Sequence, residues 1–138
     1  MEDYDLDTGG SGKLVNISAR AKVGLGADVL IPGLVIQGNA PKRVLVRAAG
    51  PALLPMGVDT ALLDPVLEIK TLSGTVVASN DNWNTADAAT MSAAGAFAFV
   101  PGSKDAALVI TLPAGAYTAL VAGVNGATGI GLIEIYEL

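Results

Sequence analysis

The sequence predicts an all-β protein: a two-layer antiparallel β-sandwich of jelly-roll type, with about eight strands and one short helix. Three features predict it. Short runs alternate apolar with polar residues, Gly-, Pro- and Asn-containing breaks separate those runs, and a single stretch carries helix punctuation.

The elements follow in chain order. Lys13 to Val23 places Val15, Ile17, Ala19, Ala21 and Val23 on one side and Asn16, Ser18, Arg20 and Lys22 on the other, the pattern of a half-buried strand. Gly24, Gly26 and Asp28 break it. Val29 to Gln37 is a β-branched run in which Pro32-Gly33 marks a bulge or an edge position, and Gly38-Asn39-Ala40-Pro41 turns the chain. Arg43 to Ala49 alternates Val44, Val46 and Ala48 with Arg43, Leu45 and Arg47, so one face of this strand is expected to be partly wet. Gly50 to Pro65 fits no strand period and reads as a long apolar connection closing one end of the core, with a turn of helix near Asp59 to Leu63.

Val66 to Thr71 and Thr75 to Ser79 flank Leu72-Ser73-Gly74, which predicts a hairpin. Thr85 to Ala94 is Ala-rich, starts with Thr and Asp and stops at Gly95, which predicts the helix. Ala106 to Leu112, Ala116 to Val124 and Ile130 to Leu138 complete the strands. They are joined by Pro113-Ala114-Gly115 and by the tight-turn signal Asn125-Gly126.

The sandwich domain is assigned to residues 13–138, preceded by an N-terminal strand and tether at 1–12. Within Glu2 to Asp7, Tyr4 and Leu6 alternate with acids, the pattern of a strand, and Asp7-Thr8-Gly9-Gly10-Ser11-Gly12 has the composition of a tether. The strand is expected either to complete the domain's own sheet beside its terminal strands or to pair with a neighbouring copy. Tyr4-Asp5-Leu6 also echoes Tyr136-Glu137-Leu138, as coincidence, as a tandem-repeat boundary or as a strand that can occupy a neighbour's terminal-strand slot.

Composition excludes whole classes of chemistry. The 138 residues contain no Cys and no His, which removes thiol nucleophiles, Cys-ligated zinc and imidazole general bases. The net charge is -5 with only 8 basic residues, so a phosphate-binding face is not expected and nucleic acid is not a partner. No apolar run approaches the ~18 residues of a membrane span. Apolar residues are 51% and charged residues 15%, which implies either a large, well-filled core or apolar surface covered by neighbouring copies or domains.

Asn80-Asp81-Asn82 is the candidate metal site, because alternating oxygen side chains in a loop suit a hard cation such as calcium. The competing reading is a structural turn in which Asx side chains bond their own backbone. Trp83 is the candidate sugar-binding aromatic, or else a lid over the core edge. Arg43 and Arg47 share one strand face and suit a carboxylate ligand, although a solvated strand face has the same pattern. Asp59, Asp64, Glu68, Asp81, Asp87 and Asp105 have no spacing that forces two onto one surface, so no acid/base pair is assigned and no catalytic residue is named.

Four segments carry a resemblance: Leu14 to Ser18, Pro41 to Ala48, Ala78 to Trp83 and Leu112 to Thr118. Together they resemble a β-sandwich repeat of large exported bacterial surface proteins. The final third, from Leu112-Pro113-Ala114-Gly115-Ala116-Tyr117-Thr118 through Gly129 to Leu138, is similar to the bacterial pre-peptidase C-terminal domain. The resemblance implies a non-catalytic, extracellular or cell-surface bacterial module with a structural or adhesive role, with calcium as the one cofactor it admits. Its partners would be copies of itself or neighbouring domains of a larger surface protein. Two alternatives stay open: a self-assembling filament or layer subunit that exchanges its N-terminal strand through Tyr4 and Leu6, and a weak calcium- or carbohydrate-binding module.

Overall fold

The computed structural model describes residues 3–5, 16–24 and 33–138. Leu6, the 7–12 tether, Lys13 to Val15 and the stretch from 25 to Pro32 lie outside the described residues. Nine strands are present among the described residues: β1 (Asp3–Asp5), β2 (Asn16–Val23), β3 (Gly33–Ile36), β4 (Lys42–Ala49), β5 (Pro65–Thr71), β6 (Val76–Asn80), β7 (Ala106–Leu112), β8 (Gly115–Gly123) and β9 (Gly129–Glu137). They form a five-stranded sheet in the order β1-β3-β8-β5-β6 and a four-stranded sheet in the order β2-β9-β4-β7. Every pairing between these named strands is antiparallel except β1 with β3.

Apart from the β5–β6 hairpin, each strand lies in the sheet opposite to the one before it. The chain therefore passes back and forth between layers as in a jelly roll. In the hairpin the Gly74 amide donates to the Thr71 carbonyl at 3.0 Å, and Gly74 takes φ 94°, a conformation glycine adopts without a Cβ clash. The Asn125-Gly126 turn also forms, with φ 54° and 79°, but it carries β8 into the other sheet rather than making a hairpin with β9.

Alternation along the strands builds the first core between the sheets, where Val44, Val46, Leu67, Ile69, Val121 and Ile135 are buried. Each such side chain contributes on the order of 1.5–3 kcal/mol by leaving water. The expectation of a partly wet face on β4 is overturned: every residue from Val44 to Ala49 is buried, Leu45 and Arg47 included. The reason is a third layer. The segment between β6 and β7 folds back over the outer face of the four-stranded sheet and builds a second core with Leu45, Trp83, Met91, Phe99, Ala107 and Tyr136. Two cores account for much of the high apolar content.

The third layer contains the expected helix. A 3-10 turn (Thr85–Asp87), begun where the Asn84 side chain accepts from the Ala86 amide at 2.9 Å, runs into α1 (Ala88–Ala93). Its end is fixed by Gly95 at φ 84°, whose amide donates to the Ser92 carbonyl. In the connection from Gly50 to Pro65 the helical turn lies at Pro51–Met56, not at Asp59 to Leu63. Pro51 opens it because a first-turn amide has no helical partner to lose, whereas Ala61 bridges to Ile130 as extended backbone.

Candidate functional site

The chemistry-bearing side chains converge beneath the third layer, around Arg47. This residue stands on β4 directly opposite Glu134 on β9, both on the outer sheet face. Its side chain is completely buried. Nε and Nη2 donate to Glu134 Oε1 at 2.9 and 2.7 Å, and Nη1 donates to the Phe97 carbonyl at 2.6 Å. The guanidinium also lies over two aromatic rings, 4.4 Å from the centre of Phe97 and 3.9 Å from that of Phe99. One cation thus joins the sheet, the loop backbone and the loop aromatics, in a water-poor setting where charge and ring quadrupole attract strongly.

The other Glu134 oxygen accepts from the Tyr136 hydroxyl at 3.0 Å. Burial, together with the negative charge of Glu134, pushes the Tyr136 hydroxyl up to about 12 from its ordinary 10.0. It is a hydrogen-bond donor at neutral pH and not a nucleophile.

A second polar chain fastens the layer's far end. Asp105, fully buried, accepts from the Gly50 and Ala52 amides at 2.7 and 3.1 Å through Oδ1 and from the Ser103 hydroxyl at 2.7 Å through Oδ2. Trp83 Nε1 donates to the Val100 carbonyl and to Ser103 Oγ, each at 3.2 Å. Phe99 stands edge-on to Trp83, with ring centres 5.8 Å apart. Between Trp83, Met91 and Phe99 and the small side chains of Ala88, Ser92 and Ala96 lies a cavity of about 90 Å³.

The remaining candidates do not join this cluster. Arg43 is exposed, so the two arginines of β4 present no common cationic face to a ligand. Asn80 uses its amide oxygen to accept from the Ala107 amide at 3.1 Å and its nitrogen to donate to the Asn82 carbonyl at 3.0 Å, while Asn82 Nδ2 reaches Asp81 Oδ1 at 3.3 Å. The run is a turn stitched to β7, and among the described residues no group of three or more acidic side chains gathers to hold a metal. Trp83 is buried with its N–H engaged, under the layer and not exposed as a sugar platform. Tyr4 lies in β1, opposite Leu34.

Sequence reasoning missed Glu134, Phe97 and Phe99. A signal for the first was present: Glu134 stands between Leu132 and Tyr136 on its strand face as Arg47 stands between Leu45 and Ala49 on its own, each a charge flanked by apolar neighbours. Two such faces in neighbouring strands imply an internal pair. A further buried acid, Glu137, has Lys42 Nζ at 3.8 Å and no hydrogen bond to either carboxylate oxygen.

No family model matches the chain, and no curated protein matches it. Among solved structures, the pre-peptidase C-terminal domain of a collagenase from Bacillus anthracis is similar over 96% of this chain and 91% of that one, with a TM-score of 0.53 and 9% identity. At that identity the likeness shows the fold: the chain is a β-sandwich with the architecture of a bacterial pre-peptidase C-terminal domain.

Proposed function

We propose that this chain is a non-catalytic structural module of a bacterial extracellular or cell-surface protein. The observation that carries this reading is the Arg47 cluster. Arg47, Glu134, Tyr136, Asp105 and Trp83 bond to one another or to the chain's own backbone, and together they lock a third layer onto a sheet. A catalytic constellation instead aims such groups at a shared, accessible point. Likeness of fold to a domain carried by a collagenase supports an extracellular setting, as does the resemblance of Pro41 to Ala48 and Ala78 to Trp83 to exported sandwich repeats.

Two measurements test the reading. Purified protein offered ester, glycoside and peptide substrates should turn over none faster than buffer; turnover abolished by Glu134→Gln or Asp105→Asn would overturn the non-catalytic assignment. Antibodies against the chain should label intact cells of the source organism. Labelling that requires permeabilisation would overturn the location.

A further inference from the structure

Strand β1 lies at the rim of the five-stranded sheet, and among the described strands it pairs with β3 and with no other. Asp3, Tyr4 and Asp5 stand opposite Gly33, Leu34 and Val35 in parallel register, a ladder three residues long. The strand it covers has no charge: β3 reads Gly-Leu-Val-Ile, with Leu34 and Ile36 buried. Without β1, that strand would present a bare apolar edge with no lysine or inward charge, the kind of edge that templates pairing with another chain. β1 reads Asp-Tyr-Asp, with two acids in three residues, where β3 carries none. β1 occupies the edge that β3 would otherwise present.

The covalent connection does not restrict β1 to its own chain. Residues 6–15 lead from it to β2, which lies in the opposite sheet. Ten residues reach at most about 33–36 Å, several times the ~10 Å between packed sheets. Every bond β1 makes to β3 within one chain is available, unchanged, between two.

We infer that β1 exchanges between copies of this chain, a second copy's Asp3–Asp5 taking the same parallel register on β3. Each chain has one donor and one acceptor, and the two are different surfaces. Exchange therefore closes when two copies swap reciprocally and runs on as a head-to-tail series when they do not. A tethered strand competes at an effective concentration on the order of millimolar, so exchange grows with protein concentration and with crowding of copies on a surface.

The chain contains no cysteine, so introduced thiols report cleanly. Asp5→Cys on one chain and Val35→Cys on another lie opposite each other only if β1 crosses between copies. Oxidising the mixture should give a covalent heterodimer whose yield rises about tenfold for a tenfold rise in concentration while the donor is scarce. Asp5→Cys mixed with Leu63→Cys, whose side chain is exposed on an unrelated connection, sets the collision background. On the unsubstituted chain, the average mass from light scattering should rise with concentration and return to the monomer when a peptide of residues 1–12 is added. A heterodimer yield no higher than background, or a mass that stays monomeric at millimolar concentration, overturns exchange. So does failure of the Asp5→Cys/Val35→Cys double variant to close a disulfide within one chain, since the register itself would then be wrong.

Discussion

Arg47 and Glu134 face each other across the β4–β9 ladder, and two guanidinium nitrogens converge on the same carboxylate oxygen at 2.7 and 2.9 Å. The second carboxylate oxygen is left for Tyr136. Because the third guanidinium nitrogen reaches the Phe97 carbonyl, removing Arg47 takes a partner from a buried carboxylate and from a partly buried loop carbonyl together.

Arg47→Met should therefore destabilise the domain by about 3–5 kcal/mol, the usual result of breaking a buried pair from one side. Arg47→Met with Glu134→Leu should recover most of that loss, because no buried charge is then unpaired. Urea unfolding of the two variants and of the parent decides. A loss under about 1 kcal/mol for the single variant would put the pair in the class of exposed salt bridges.

Tyr136 makes stability depend on alkaline pH. Its folded value of about 12 lies above the 10.0 of an unperturbed tyrosine, so the native state favours the neutral phenol. That contribution is fully present below pH 10 and is lost as pH rises through about 12. Tyr136→Phe should remove this part of the alkaline loss, seen as a flatter stability profile between pH 9 and 12. Equal slopes in variant and parent would show that the phenol is not shielded.

Asp105→Ala should release the Gly50 and Ala52 amides and the Ser103 hydroxyl at once, costing about 2–4 kcal/mol because the amides lose a charged acceptor. Asp105→Asn keeps an oxygen for both amides and should cost less than half as much. Trp83 fluorescence follows the consequence, since its indole bonds to Ser103. Equal losses for the two variants would show that the negative charge matters and not the acceptor geometry.

Gly129→Ala should cost about 1–3 kcal/mol from overpacking and backbone strain. Gly129 has φ 153°, and an added Cβ would lie 2.6 Å from the Leu62 amide nitrogen and 2.7 Å from the Thr60 carbonyl oxygen. The clash falls where the 50–65 connection pairs with β9, through Leu62 N to Ile130 O and Ile130 N to Thr60 O. Thermal unfolding of the variant checks it; an unchanged midpoint would mean that this contact yields freely.

Millimolar calcium should leave the melting temperature unchanged. Asn80 has both amide atoms engaged with the chain, and Asp81 is the sole carboxylate of the run. Asn80→Ala should cost about 1 kcal/mol through the unpaired Ala107 amide. A calcium-dependent rise that disappears in Asp81→Ala would place a metal in the loop.

Local pattern alone determined the strands. Alternating or β-branched runs mark the strands and turn residues mark the breaks, so β4, β5, β7 and β9 fall within a residue or so of where their sequences place them. The helix stop at Gly95 and the Asn125-Gly126 turn are equally local, since a backbone conformation is chosen by the residues that adopt it. Tertiary structure decided which sheet each strand joined and what covered the outer face of the four-stranded one. Arg47 on a half-wet strand and Arg47 in a second core have the same alternating sequence. The difference is a loop that returns from the Asn80 turn to deliver Phe97 and Phe99 to a residue about 50 positions earlier in the chain. A contact between residues so far apart leaves no trace in a period of two, because periodicity reports that a face is covered without recording what covers it.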